Sequence, residues 1–209
     1  MTKYGFHGNN LSVKNVSTGR VTVSDKVVVE YVIPYTIAYS TTNILDGINW
    51  HTGTVTYTNT TILMQPPYPA QLLVNAKVAG TAGHNDSITF VGLNAAGETI
   101  TDIAYVSATA GSSLYTNKAF AKITSIYPTG KVIVKSTDLN VGIRTGVIGL
   151  PYPIASSADI ISYQKGGTFA TTAAITMNST TYNTVAIATT AAKVVKILYK
   201  SIVQKNLKN

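Results

Sequence analysis

The sequence predicts an all-β protein, a β-sandwich or barrel carrying N- and C-terminal arms, with room for a second small β subdomain. Three observations lead there. Short runs rich in Val, Ile, Thr and Tyr recur along the chain, Gly, Asn and Pro punctuate them, and helical periodicity is nearly missing. Charged residues make up only 11% of the 209 residues against an apolar 45%, so hydroxyls and amides must cover much of the surface. With that apolar content the chain can bury a core and is not expected to be disordered.

The elements follow in order. Val27 to Ile37 predicts a strand broken at Pro34, and Gly53 to Thr61 alternates Val55, Tyr57 and Asn59 with threonines at period two. Gln65-Pro66-Pro67-Tyr68-Pro69 is too stiff and too poor in donors for a strand interior and predicts a corner. Ala70 to Ala79 predicts the next strand. Ser87 to Leu93 and Glu98 to Val106 flank Asn94-Ala95-Ala96-Gly97, which has the form of a hairpin. Phe120 to Ile126 and Lys131 to Ser136 predict a second pair, turning at Tyr127-Pro128-Thr129-Gly130. The stretch Gly142 to Pro153 holds Gly142, Gly146 and Gly149, suits a strand edge or a domain exit, and would weaken a central strand. Ile160 to Tyr163, Thr168 to Met177, Thr184 to Thr189 and Val194 to Val203 predict four further strands; in the last, Lys193, Lys196 and Lys200 also share a helical face. The expected division is residues 1–50 as N-terminal arm, 51–153 as central sandwich or barrel, and 154–209 as a C-terminal β extension with a basic tail.

Ile33-Pro34-Tyr35 and Leu150-Pro151-Tyr152 form a short internal echo, each followed shortly by Ile-Ala, but their flanks do not match and no duplication is inferred.

The formal net charge is +8, and Lys193, Lys196, Lys200, Lys205 and Lys208 stand near the C-terminus with no acid among them. Only Arg20 and Arg144 are arginines, which argues against nucleic acid as a partner. The opening residues lack an apolar h-region, so synthesis in a cytoplasm without export through the Sec route is expected. No apolar run approaches the ~18 residues of a membrane-spanning helix.

Signals for chemistry are sparse. Cysteine is absent, and His7, His51 and His84 are isolated from one another and from acids at metal-ligand spacing. The eight acids show no paired pattern, and Asp86 with Asn85 and Ser87 supplies at most a fragment of a Ca²⁺ site. A nucleophile elbow, P-loop or dinucleotide fingerprint is missing. No enzyme activity, cofactor or metal is therefore expected. The single tryptophan, Trp50, suits an interface anchor better than a sugar-stacking platform. Tyr35, Tyr152, Lys193, Lys196 and Lys200 complete the candidate interface residues.

From Pro69 to Pro153 the chain resembles β-rich virion proteins of tailed bacteriophages, of the head-decoration or cement type. The carrying residues are Ser87-Ile-Thr-Phe-Val-Gly-Leu-Asn-Ala-Ala-Gly97-Glu-Thr-Ile-Thr-Asp102, then Lys118-Ala-Phe120-Ala-Lys-Ile123-Thr-Ser-Ile126, then Val141-Gly142 and Gly149-Leu-Pro151. Val91-Gly92-Leu93 replaces the family's usual Thr-Gly-Thr, and Asp102 stands where Glu is commoner. The resemblance implies a non-enzymatic domain located in the virion. Its implied partners are the major capsid protein or other virion subunits, and it implies a homo-oligomer, by analogy a trimer. It carries no catalytic residues. A tail-tube or tail-fibre component and a carbohydrate-binding β-sandwich are the alternative expectations.

Overall fold

Fourteen strands account for most of the residues described by the computed structural model, which are 26–33, 40–49, 57–58, 62–76, 87–105, 113–129, 138–170, 175–187 and 194–202. They are β1 (Lys26–Ile33), β2 (Ser40–Asn49), β3 (Tyr57–Thr58), β4 (Ala70–Ala76), β5 (Ser87–Leu93), β6 (Thr99–Tyr105) and β7 (Ser113–Phe120). Then come β8 (Lys122–Thr129), β9 (Asp138–Gly149), β10 (Ile160–Lys165), β11 (Thr168–Ala170), β12 (Ile175–Ser179), β13 (Thr184–Ile187) and β14 (Val195–Ile202). A 3-10 turn over Ser157–Asp159 is the one helical element among the described residues. The all-β expectation holds.

The strands form three antiparallel sheets. Sheet 1 runs β1-β14-β10-β11, so a strand near the N-terminus pairs residue for residue with one near the C-terminus, from Lys26–Ile202 to Ile33–Val195. Sheet 2 runs β12-β13-β9-β4-β7, with β2 also paired to β9, and sheet 3 runs β3-β8-β5-β6. One connected core joins all three: Ile33, Tyr163 and Ile197 from sheet 1, Leu72, Val74 and Ile143 from sheet 2, and Ile88, Phe90 and Ile126 from sheet 3.

Several turns have a clear chemical cause. At the β5–β6 hairpin, the Asn94 side-chain Oδ1 accepts from the backbone N–H of Ala96 and Glu98, both at 2.9 Å, and Gly97 takes φ +82°. At the β10–β11 hairpin, Gly166 and Gly167 take φ +59° and +81°, the double positive φ of a tight two-residue turn.

Three expectations need correction. Residues 127–129 continue β8 rather than turning: Pro128 lies opposite Ile88, beyond the short β3 ladder at Ser125 and Ile126, so among the described residues the strand is paired on one side only there. The partner expected at 131–136 lies outside the described residues. The glycine-rich Gly142–Gly149 is part of β9, a central strand, because its irregularity is absorbed in a bulge. The single strand expected over 168–177 is instead two strands, β11 and β12, in different sheets. The ambiguous C-terminal stretch is strand β14.

Sheet 2 has a local irregularity that matters below. Between the pairs Ala70–Ile148 and Leu72–Ile143, residues 144–147 of β9 stand opposite Gln71 alone. Between Gln71–Ala119 and Leu73–Tyr115, residues 116–118 of β7 stand opposite Leu72 alone. Two bulges thus flank β4 at the same level. Gly146, at φ +81°, supplies the backbone conformation for the first. A threonine hydroxyl repairs the second: the Leu72 N–H donates to Thr116 Oγ1 at 2.9 Å, and that hydroxyl donates to the Lys118 carbonyl at 2.9 Å. The Lys118 N–H in turn donates to the Asp102 carboxylate of β6 at 2.8 Å, tying sheet 3 to the bulge.

Candidate functional site

Two surfaces stand out, and only one includes residues singled out in the sequence. The first is the outer face of sheet 1. Directly opposed residues of adjacent strands share a face, so Val32, Lys196, Gln164 and Phe169 make one row across all four strands. Val28 beside Lys200, and Glu30 beside Leu198 and Ser162, make the neighbouring rows. Val28 is 48% exposed, Val32 42% and Phe169 70%, with Ile161 and Val194 also exposed. The opposite face of the same strands is core: Ile33, Tyr163, Val195, Ile197 and Tyr199 are buried. On this face of β1 the exposed Val28 and Val32 bracket Glu30. β1 is also an edge strand among the described residues, and it carries no proline within its length.

Lys196 and Lys200 therefore sit on a mixed face of apolar, polar and charged side chains, one pleat repeat on either side of Leu198, which lies opposite Glu30. Tyr152 is placed differently. It is half-buried against the core, and its backbone N–H and carbonyl meet the Tyr199 hydroxyl at 3.3 and 3.4 Å. Trp50, Tyr35 and Lys193 lie outside the described residues, as do His7, His51 and His84.

The second surface is an open groove of about 440 Å³ over the twin bulges, built from none of the candidate interface residues of the sequence. At its floor Arg144 Nη1 donates to Gln71 Oε1 at 2.6 Å, and Gln71 Nε2 donates to the Asn117 carbonyl at 2.8 Å. The Arg144 guanidinium carbon lies 4.3 Å from the centre of the Tyr115 ring, a cation–π contact. Gln71 is 3% exposed, so its amide is locked by these two bonds. The β12–β13 turn forms the far wall with Asn178, Ser179 and Tyr182, shaped by the Asn178 Nδ2 bond to Thr184 Oγ1 at 2.9 Å and by Asn183 at φ +51°. A smaller hollow of about 210 Å³, lined by Asn94, Glu98 and Lys118, shares Tyr182 with it.

The groove wall consists of a guanidinium, amides, hydroxyls and two phenols. Such groups bind by hydrogen bonding and stacking. One signal in the sequence points to the groove: an arginine bracketed by Gly142 and Gly146 within a β run marks a bulge that re-aims a charged side chain.

Among the described residues no three His, Cys, Asp or Glu side chains gather as metal ligands, and no helix is long and apolar enough to cross a membrane. No family model, curated protein or solved structure matches this chain.

Proposed function

We propose that this chain is a non-enzymatic structural subunit of a virus particle, a capsid-decoration protein that stabilises the shell through protein–protein contacts. The observation that carries this reading is the outer face of sheet 1, where Val28, Val32 and Phe169 stand in rows with Lys196 and Lys200 on a face with no covering element among the described residues. Exposed apolar side chains grouped on one face suit a contact surface: covering a valine or phenylalanine side chain fully contributes about 1.5–3 kcal/mol. The lysines add orientation, since an acidic partner surface would attract them before contact and pair with them after it. The partner on this reading is the major capsid protein or another virion subunit, and the chain self-associates as a closed oligomer, with three copies as the working number. β1 offers a second mode of attachment, because an edge strand can accept a partner's strand through main-chain hydrogen bonds.

Co-sedimentation with intact particles tests this. Attachment at a fixed copy number per particle, weakened as salt is raised, is the expected result. A chain that never sediments with particles, or that turns over a small substrate, refutes it.

A further inference from the structure

We infer that the groove over the twin bulges of sheet 2 is a binding site for an acidic saccharide, with Arg144 holding the sugar carboxylate. The inference stands on the groove and is independent of the contact face of sheet 1.

The first ground is the state of Arg144. One of its N–H groups is engaged by Gln71 Oε1, and its flat face rests on Tyr115. A guanidinium carries five N–H donors, so four remain. No carboxylate pairs with it among the described residues. A partly buried guanidinium already fixed in orientation suits a planar two-oxygen anion, because both oxygens can be met by parallel N–H bonds. The fixing costs a ligand nothing, since Gln71 and Tyr115 have ordered the side chain beforehand.

The second ground is what surrounds the arginine. The Asn117 side-chain amide and the Tyr115 and Tyr182 hydroxyls make no hydrogen bond among the described residues, and all three residues are exposed. With Asn178 and Ser179 they offer donors and acceptors in mixed order, as a ring of ligand hydroxyls requires. Among the described residues no aliphatic side chain lines the groove to receive an apolar peptide side chain. Phosphate chemistry fits less well: among the described residues Arg144 is the one cation that lines the groove, and Lys118 lines the adjoining hollow instead.

The third ground is size. A volume of about 440 Å³ lies within the range of small-molecule sites. Tyr182 also lines the adjoining 210 Å³ hollow, so a chain of sugars can continue past it towards Asn94 and Lys118. The Tyr182 phenol ring stands at the join and offers a face for a sugar to stack on.

Ligand-observed NMR and calorimetry on the purified chain test the inference, with a panel of uronate- and sialate-terminated oligosaccharides beside their neutral counterparts, and with acetate and inorganic sulfate alone. At least one acidic saccharide is expected to bind ten or more times tighter than its neutral counterpart and than either simple anion. Arg144→Gln should weaken that binding at least tenfold, and Tyr182→Ala severalfold. Should Arg144→Gln fail to fold, Asn117→Ala decides, because that side chain holds no other described residue and its loss should still weaken binding severalfold. Binding of no panel member, equal binding of neutral sugars or of simple anions, or affinity unchanged in the variants overturns the inference.

Discussion

Gly92 is the position at which a single methyl group should do the most damage. It lies in β5 where the register with β8 shifts: Val91 faces Ser125, Gly92 faces Ile123, and Thr124 is left over. The Thr124 hydroxyl donates to the Val91 carbonyl at 3.0 Å, repairing the bulge as Thr116 does in sheet 2. A Cβ on Gly92 would fall deep inside the Lys122 carbonyl oxygen, 2.9 Å from Phe120 Cδ1 and 3.1 Å from the Ile123 Cα. Two of those obstacles are backbone, so rotating a side chain cannot relieve them. Ordinary carbon–oxygen contact needs about 3.3 Å, which obliges β5 and β8 to part by roughly 1 Å. That separation strains the Ala121 N–H bond to the Leu93 carbonyl at 2.7 Å and the ladder at Leu93–Lys122 and Gly92–Ile123. Three hydrogen bonds at about 1 kcal/mol each, with overpacking of about 1–3 kcal/mol, give a loss of roughly 5 kcal/mol for Gly92→Ala. Gly97→Ala is the control: nothing lies within 4 Å of its Cβ, and only the positive φ of +82° is penalised, at about 1 kcal/mol. Urea unfolding measures both. With a slope near 2 kcal/mol/M, the Gly92 variant should lose about 2.5 M in midpoint and the Gly97 variant about 0.5 M. Equal losses would refute the close approach of β8 to Gly92.

Thr116→Val leaves the Leu72 N–H without its acceptor in a buried strand and should cost about 1–3 kcal/mol, while Thr116→Ser retains the bond; urea midpoints of the two variants separate this from a packing effect. Burial pushes the Tyr31 and Tyr199 hydroxyls well above the ordinary tyrosine range, with the Tyr152 backbone bond acting in the opposite direction on Tyr199. Because the folded state disfavours their ionisation, the stability they contribute is intact below the unfolded value of about 10 and falls as pH rises beyond it. Urea midpoints that are level up to about pH 10 and decline above it are expected, and a midpoint that climbs there would contradict the assignment.

The parts of the fold visible in the sequence are those where period-two alternation survives intact. Ser87–Leu93 and Thr99–Tyr105 pair without a single shift, and the Asn94–Gly97 turn announces itself through an amide acceptor and a residue that accepts positive φ. β2 escaped notice because its pairing with β9 shifts twice, so Ile44 and Leu45 are both buried although adjacent in sequence. β9 was obscured by its glycines, which are faults in a flat strand and necessities in a bulged one. The Gly166–Gly167 pair did carry a hairpin signal, a two-residue turn with positive φ at both positions. Of the site residues, Lys196 and Lys200 were legible as an uncompensated basic run, and strand register then sets them among Val28, Val32 and Phe169. Of the groove, only the bulge at Arg144, bracketed by Gly142 and Gly146, was legible. Gln71, Asn117, Arg144 and Asn178 are distant in sequence, and two coincident bulges bring them together.

The measurement that bears most directly on the contact face of sheet 1 compares the chain with its Val32→Lys, Phe169→Lys double variant, by sedimentation velocity alone and with particles. Both side chains point away from the core, at 42% and 70% exposure, so the variant should fold with unchanged urea stability. Loss of the two apolar contacts, with two charges to desolvate, should weaken self-association and particle attachment at least tenfold, or about 1.4 kcal/mol. A folded double variant that associates as tightly as the parent chain would show that this face is not where the protein meets its partners.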